Sequence, residues 1–242
     1  MADRVVLVTG GARGIGAALA RHHAAKGATV VIADIDESGA AVADETGGVF
    51  VDADVSTADG TGAAVRTAEE LGGIAVLHLN AGIPGGTSFG DGFDVDRYRR
   101  GIGVNLDAVV FGIQAALPGM RARGGGAILV TASIAGLTLS GDVFYAAAKH
   151  AAIGLVRSCA AMLEDSPITV NALCPGFVRT PMLEPFSPRL EEAGVLVAEP
   201  ALVGEAADAV LAGGRTGEAW PVQAGQPFEP WSFGEIVLSR SS

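Results

Sequence analysis

The 242-residue chain is short of cysteine, aromatic residues and positive charge, and each scarcity removes a class of protein. Its two cysteines, Cys159 and Cys174, cannot build a disulfide framework, and neither has neighbours at metal-ligand spacing. The expectation is a protein of a reducing cytoplasm. Lys and Arg number 16 against 27 Asp and Glu, a net charge of −11, which argues against a basic nucleic-acid surface. No apolar run has the length of a bilayer span, so no membrane partner is expected. The chain enters Val5-Val6-Leu7-Val8 at once, which leaves no basic segment and cleavage site for a signal peptide. His22, His23, His78 and His150 show no ligand spacing with Cys, Asp or Glu; they read as structural or surface, and no metal is expected.

Apolar residues, by contrast, make up 49%, enough for a sizeable core, and 35 glycines provide tight turns and close helix packing. Short β-branched runs alternate with longer Ala-rich stretches. Strands are expected at Arg4–Val8, Ala28–Ala33, Val49–Val51, Ile74–Leu79, Ala127–Thr131, Ile168–Leu173 and Ala219–Gln223. Helices are expected at Ile15–Lys26, from a Ser56 cap to Leu71, at Val104–Arg121 and at Tyr145–Leu163. The alternation predicts an α/β fold: a Rossmann-type, doubly wound parallel sheet of about seven strands with helices on both faces, in one domain over 1–242. Two stretches break the rhythm. The proline-rich segment 179–200 reads equally as a lid over a site or as a surface excursion. The tail 225–242, with Phe228, Trp231 and Phe233, can pack on the sheet edge, cover a site or reach a partner subunit.

Chemistry enters at Thr9-Gly10-Gly11-Ala12-Arg13-Gly14-Ile15-Gly16, between the first strand and the first helix. Glycines let such a turn be tight and let a pyrophosphate approach the backbone, and the helix N-terminus offers free N–H groups to the anion. Asp34 closes the second strand, placed to accept hydrogen bonds from adenosine ribose hydroxyls and to repel a 2′-phosphate. The expected cofactor is therefore NAD over NADP, although Arg13, a base in the glycine turn, could meet that phosphate. Tyr145-Ala-Ala-Ala-Lys149 puts a phenol and an ammonium on one helix face. A free tyrosine titrates near ~10, too high for a base at neutral pH. A nearby cation favours the phenolate, so the pair reads as a proton-transfer device.

These residues resemble the short-chain dehydrogenase/reductase family in its form of roughly 250 residues. The likeness covers about residues 4–182. It rests on Thr9-Gly10-x-x-x-Gly14-x-Gly16, Asp54-Val55, Asn80-Ala81-Gly82, Asn105, Ser133, Tyr145-x-x-x-Lys149 and Pro175-Gly176. It implies cofactor contacts from Gly10, Arg13, Gly14, Ile15, Gly16, Asp34 and Ile35, with Asp54 and Val55 at the adenine. Asn80, Ala81 and Gly82 form the fourth-strand turn, and Pro175, Gly176, Val178 and Thr180 hold the carboxamide and phosphates. It further implies that Tyr145 exchanges a proton with the substrate oxygen, that Lys149 lowers its pKa and binds the nicotinamide ribose, and that Ser133 hydrogen-bonds the reacting oxygen. Asn105 would hold a water linking Lys149 to solvent. Leu79 and Ala75 depart from the residues common in the family and are expected to loosen local packing. Around Cys174–Val178 and Ala219–Val222 the chain is loosely similar to the hydroxyprostaglandin dehydrogenase branch, which implies lipid-like substrates and a dimer.

The expected function is NAD-dependent oxidation of a secondary alcohol, or reduction of the ketone, with apolar substituents, in a homodimer or homotetramer. A 3-oxoacyl-thioester reductase is the alternative, and a nucleotide-sensing scaffold without turnover is the non-enzymatic one. Phe144, Phe177, Met182, Leu183 and Phe186 flank the expected site and are candidates for an apolar pocket, at least half of them serving packing alone. Asp142, just before the catalytic helix, can cap it or line the pocket, and capping is the preferred reading.

Overall fold

The computed structural model describes residues 4–234. The apolar runs become strands whose residues alternate between two cores. In β1 (Val5–Thr9), Val5 and Leu7 enter one core while Val6 and Val8 enter the other. This is why the strand carries no polar alternation: both faces are covered. The same holds for β2 (Thr29–Asp34), β4 (Ile74–Leu79), β5 (Gly126–Thr131) and β6 (Ile168–Pro175). Shorter strands, β3 (Val49–Asp52) and β7 (Ala219–Val222), close the two edges. All pairings are parallel, in the order β3-β2-β1-β4-β5-β6-β7. The chain runs outward from β1 to β3 and then returns to place β4 on the other side of β1. That reversal opens a crevice at the carboxyl ends of β1 and β4, where sheets of this kind bind ligands.

Helices α1 (Gly14–Ala24), α2 (Gly39–Thr46) and α8 (Ala201–Gly213) cover one face. Helices α3 (Ala58–Glu70), α5 (Ala108–Ala122) and α6 (Val143–Met162) cover the other. Each fully buried Leu, Ile or Val on these faces contributes about 1.5–3 kcal/mol. α4 (Val95–Ile102) runs through a π-turn at Gly103–Asp107 into α5, so the helix expected from Val104 begins nine residues earlier. Its stretch Val95–Ala122 is 28 residues long and, by length and composition, apolar enough to cross a membrane, which corrects the expectation of no such run. Its apolar face is spent on the protein: Val109, Ile113, Ala116, Leu117 and Met120 are buried against α3 and β4.

Other differences are local. Thr57, not Ser56, caps α3, accepting from Gly60 N–H at 3.1 Å, while Ser56 Oγ donates to Asp54. Leu79 does not loosen its surroundings; it is buried, and Gly112 of α5 lies so close that a Cβ there would collide with it. Trp220 lies in the core, as its place on a late strand suggests. Segment 179–200 includes a turn at Glu184–Phe186 and α7 (Ser187–Glu192). It closes on itself where Val178 bridges Ala198 and Arg179 pairs with Glu199. The tail to Phe233 packs on the β7 edge: Trp231 N–H donates to Ala219 O at 2.7 Å, and Phe233 lies under the Arg157 guanidinium at 4.0 Å. Residues 235–242 of the expected tail lie outside the described residues.

Candidate active site

A cavity of about 680 Å³ opens along the carboxyl ends of the strands. Its floor is the glycine turn. Gly10, at φ +64°, bends the chain out of β1, and a Cβ there would lie 2.7 Å from Ala81 Cα. Gly16 lies behind the wall, where a Cβ would collide with the Gly10 carbonyl. Thr9 and Asn80 lock this turn to its neighbours. Thr9 Oγ1 accepts from Asn80 N–H at 2.9 Å, and the Asn80 amide donates to Thr9 O and Gly10 O, both at 3.1 Å. Thr131 Oγ1 closes the set by donating to Asn80 Oδ1 at 3.1 Å, tying β1, β4 and β5 together at their ends. The Asn80 side chain is thus committed to shaping the turn.

At one end of the cavity stands Asp34. Ala12 N–H donates to its Oδ2 and Asp36 N–H to its Oδ1, each at 3.0 Å. The carboxylate is fixed by backbone while each oxygen keeps a second lone pair. Arg13 is ion-paired with Asp36, so its guanidinium is already partnered. The Asp36 carboxyl is held below its usual range by the Ser38 N–H first and by Arg13 as well. Ile35, Asp54 and Val55 line the same end.

At the other end are Ser133, Tyr145 and Lys149. Lys149 reaches under the sheet ends and donates to Thr131 O at 2.9 Å, with Nζ 5.5 Å from the Tyr145 ring centre. Burial pushes its ammonium down to about 8. Burial also pushes the Tyr145 phenol above its ordinary value; the Ser133 hydroxyl pulls it down, and the Asp142 carboxylate and Cys174 push it up. Desolvation is the largest of these effects on the phenol. Ser133 Oγ is held by Ala135 N–H at 3.1 Å. Asn105 lies behind the wall in the π-turn. Its Oδ1 accepts from Ile83 N–H at 3.2 Å and its Nδ2 donates to Ile83 O at 2.8 Å. Its side chain thereby holds the β4–α4 loop.

Gly14, Ile15, Ala81, Gly82, Pro175, Gly176, Val178 and Thr180 join the lining, so of the expected residues only Gly16 and Asn105 sit behind it. Of the expected apolar pocket, Met182 and Leu183 line the cavity. Phe144 turns away into a surface cluster with Phe89, Phe93 and Tyr98, and Phe186 is 52% exposed. Sequence reasoning missed ten lining residues, among them Ile83, Pro84, Arg100, Val104, Thr131 and Pro181; the place of Thr131 at a strand's carboxyl end was a signal that could have found it.

The residues present fit a dinucleotide: a glycine cradle that a Cβ would fill, the start of α1 with its free N–H groups, and a ribose-height carboxylate. Comparison with known proteins agrees. A profile described as short chain dehydrogenase matches residues 4–191. Cyclohexanol dehydrogenase of Acinetobacter sp. (strain SE19) is 36% identical over 195 residues, 76% of each chain. The 3-alpha-(or 20-beta)-hydroxysteroid dehydrogenase of Mycobacterium tuberculosis is 42% identical over 188 residues, 75% of this chain and 71% of that one. The solved structure of 3-ketoacyl-(acyl-carrier-protein) reductase from Brucella melitensis, complexed with NADH, superposes with a TM-score of 0.83 at 30% identity, covering 92% of this chain and 97% of that one. With strand order, glycine turn and the Ser133–Tyr145–Lys149 grouping all in place, the chain belongs to the short-chain dehydrogenase family and is an oxidoreductase.

Proposed function

We propose that this oxidoreductase oxidises a secondary alcohol with apolar substituents, or reduces the ketone, using NAD in preference to NADP. One observation carries the reading: Tyr145, Ser133 and Lys149 converge at one end of a cavity whose other end is the Asp34 carboxylate. When bound, the nicotinamide supplies the hydride acceptor or donor. Tyr145 takes the alcohol proton in oxidation and returns it in reduction. Ser133 steadies the charge on the reacting oxygen. Lys149 supplies fixed positive charge beside the phenol, and Thr131 O keeps the ammonium in place. Ile83, Pro84, Pro181, Met182 and Leu183 give the cavity an apolar wall, which suits an apolar ring or chain, and Arg100 is a cation in the same lining. The alcohols named for the cyclohexanol and hydroxysteroid relatives support that class.

The preference for NAD rests on the fixed Asp34 and on Arg13 being paired with Asp36. A 3-oxoacyl-thioester reductase, the activity named for the Brucella neighbour, is the second reading. The net charge of −11 disfavours it, because a carrier protein calls for a basic docking surface. A homo-oligomer of the cytoplasm completes the proposal.

The test is a panel of cyclic, aryl, steroid, hydroxyacyl-thioester and polyol substrates with each cofactor, read as NADH or NADPH absorbance. Cyclic, aryl or steroid alcohols should turn over, with kcat/KM at least about tenfold higher for NAD, the scale of one lost charged contact. Turnover of polyols alone would sink the apolar wall, and a preference for NADP would sink the role of Asp34.

A further inference from the structure

Asp142 divides its two carboxylate oxygens between two segments of chain. Oδ1 accepts from the Tyr145 N–H at 3.2 Å and caps α6; Oδ2 accepts from the Gly85 N–H at 2.8 Å. Gly85 belongs to the β4–α4 loop, whose Ile83 and Pro84 form part of the cavity wall. The approach is at backbone level. A Cβ on Gly85 would collide with Asp142 Oδ1 and lie 3.1 Å from the Tyr145 nitrogen. Upstream, Asn105 grips both the N–H and the carbonyl of Ile83. Pro84 is thus the single residue between two fastenings, one on the π-turn and one on the start of the catalytic helix.

We propose that Asp142 is a positioning residue that fastens the substrate wall at Pro84 to the helix carrying Tyr145, so that wall and phenol keep one fixed separation. The proposal rests on the secondary-alcohol reading for what the wall contacts. A helix cap alone needs one acceptor oxygen, and asparagine or serine serves as well as aspartate. Neither of those can receive two N–H groups from opposite sides in the same geometry, because asparagine turns an NH2 toward one of them and serine has a single oxygen. The charge of Asp142 is a cost in the oxidation direction. The polar or titratable groups facing Tyr145 are Ser133 from the segment after β5, Lys149 from α6, Cys174 from β6 and Asp142 itself. Of these, Asp142 is the carboxylate, and it opposes the phenolate. The same carboxylate that opposes the phenolate is the one that joins the two segments.

Asp142→Asn and Asp142→Ser separate tether from cap, since both keep the cap. Hydrogen–deuterium exchange of the full-length protein with NAD present should show peptides across residues 82–93 exchanging roughly tenfold faster in both variants, with α6 and β1 peptides unchanged. KM for the secondary alcohol should rise about fivefold, with KM for NAD within twofold of wild type. The acid limb of kcat against pH should move to lower pH, because an opposing charge has left the phenol. Wild-type exchange in the loop would overturn the proposal and leave Asp142 as a cap. An equal rise in both KM values would overturn it too. If no alcohol in the panel is oxidised, the functional reading fails, and loop exchange, which needs no turnover, still decides the tether. Should either variant fail to fold, Gly85→Ala applies the same two readouts by pushing the segments apart.

Discussion

Lys149 carries its charge where burial penalises it. Its ammonium is pushed to about 8, yet at pH 7 it still holds its proton for roughly nine molecules in ten. The Thr131 carbonyl gives it one fixed acceptor. Positive charge therefore stands beside Tyr145 at neutral pH, while burial of the phenol pushes its own value up. Tyr145→Phe should lower NADH formation by ~10²–10⁴-fold, the usual worth of acid–base catalysis, with NAD binding by fluorescence titration within about twofold. A protein that kept more than about a tenth of its turnover would contradict the role. This pair was legible in the sequence because its members are four positions apart on a helix; the anchor at Thr131 was not, because helix spacing says nothing about which strand end faces the lysine.

The same scale holds a second titratable pair, on the α1 side of the sheet. His23 Nε2 and His78 Nε2 lie 2.7 Å apart, both buried, so one must donate and the other accept. Desolvation is the main cause that pushes His23 from 6.5 to about 4 and His78 well below its ordinary value. Both sites bind protons more weakly folded than unfolded, so the stability they contribute is present above about 6.5. It is lost as pH falls toward about 4. For His23 alone the loss is about 3 kcal/mol. Urea unfolding at pH 7 and at pH 4.5 should show this slope in the wild type, and a His23→Leu/His78→Leu protein should show a shallower one. Equal slopes would remove the histidine pair as the cause. The sequence left these residues as structural or surface; their contact across 55 positions had no sequence signal.

At the scale of elements, strands were read to within one or two residues because each is a short apolar run between breakers. Helices were harder, for reasons that differ. α4 is only eight residues long and, with Asp96, Arg97, Arg99 and Arg100, has few apolar residues to mark it; only Gly101 is buried. α7 sits among prolines. α8 did carry a signal: apolar residues recurring through Ala201–Gly213, Pro200 before the first turn, and Gly214 closing the helix at φ +63°. The site shows the same division. Cofactor-side residues are contiguous in sequence at Gly10–Gly16, so the turn identifies itself. The wall is assembled from the β4–α4 loop and residues 181–183, and the loop is held in turn by the π-turn and the start of α6. Asp142 meets Gly85 across 57 positions, and Asn105 meets Ile83 across 22. A cap at Asp142 follows from local rules; the loop it also holds follows only from the fold.

Across the whole molecule, the sheet has two edges, and β7 is the one that the chain closes for itself. Pro221 in β7 has no N–H to offer, and Trp231 N–H occupies Ala219 O. An edge treated in this way is poorly suited to pairing with another strand. The tail is held by side chains as well: Phe228 packs on the core face shared with α8, and Phe233 packs on the opposite core beneath Arg157. A half-buried phenylalanine with a cation above its ring is worth roughly 1–2 kcal/mol, combining part of the burial of its area with a cation–π contact. In a chain of this size each kcal/mol moves the midpoint by ~2–4 °C. Phe233→Ala should therefore lower Tm by roughly 3–6 °C in differential scanning fluorimetry. Its kcat at 25 °C should match wild type, because Phe233 does not line the cavity and meets α6 at Arg157, twelve residues beyond Tyr145. An unchanged Tm would show that the Trp231 backbone bond and Phe228 hold the tail without it. A lost kcat at unchanged Tm would place the tail in the catalytic cycle instead.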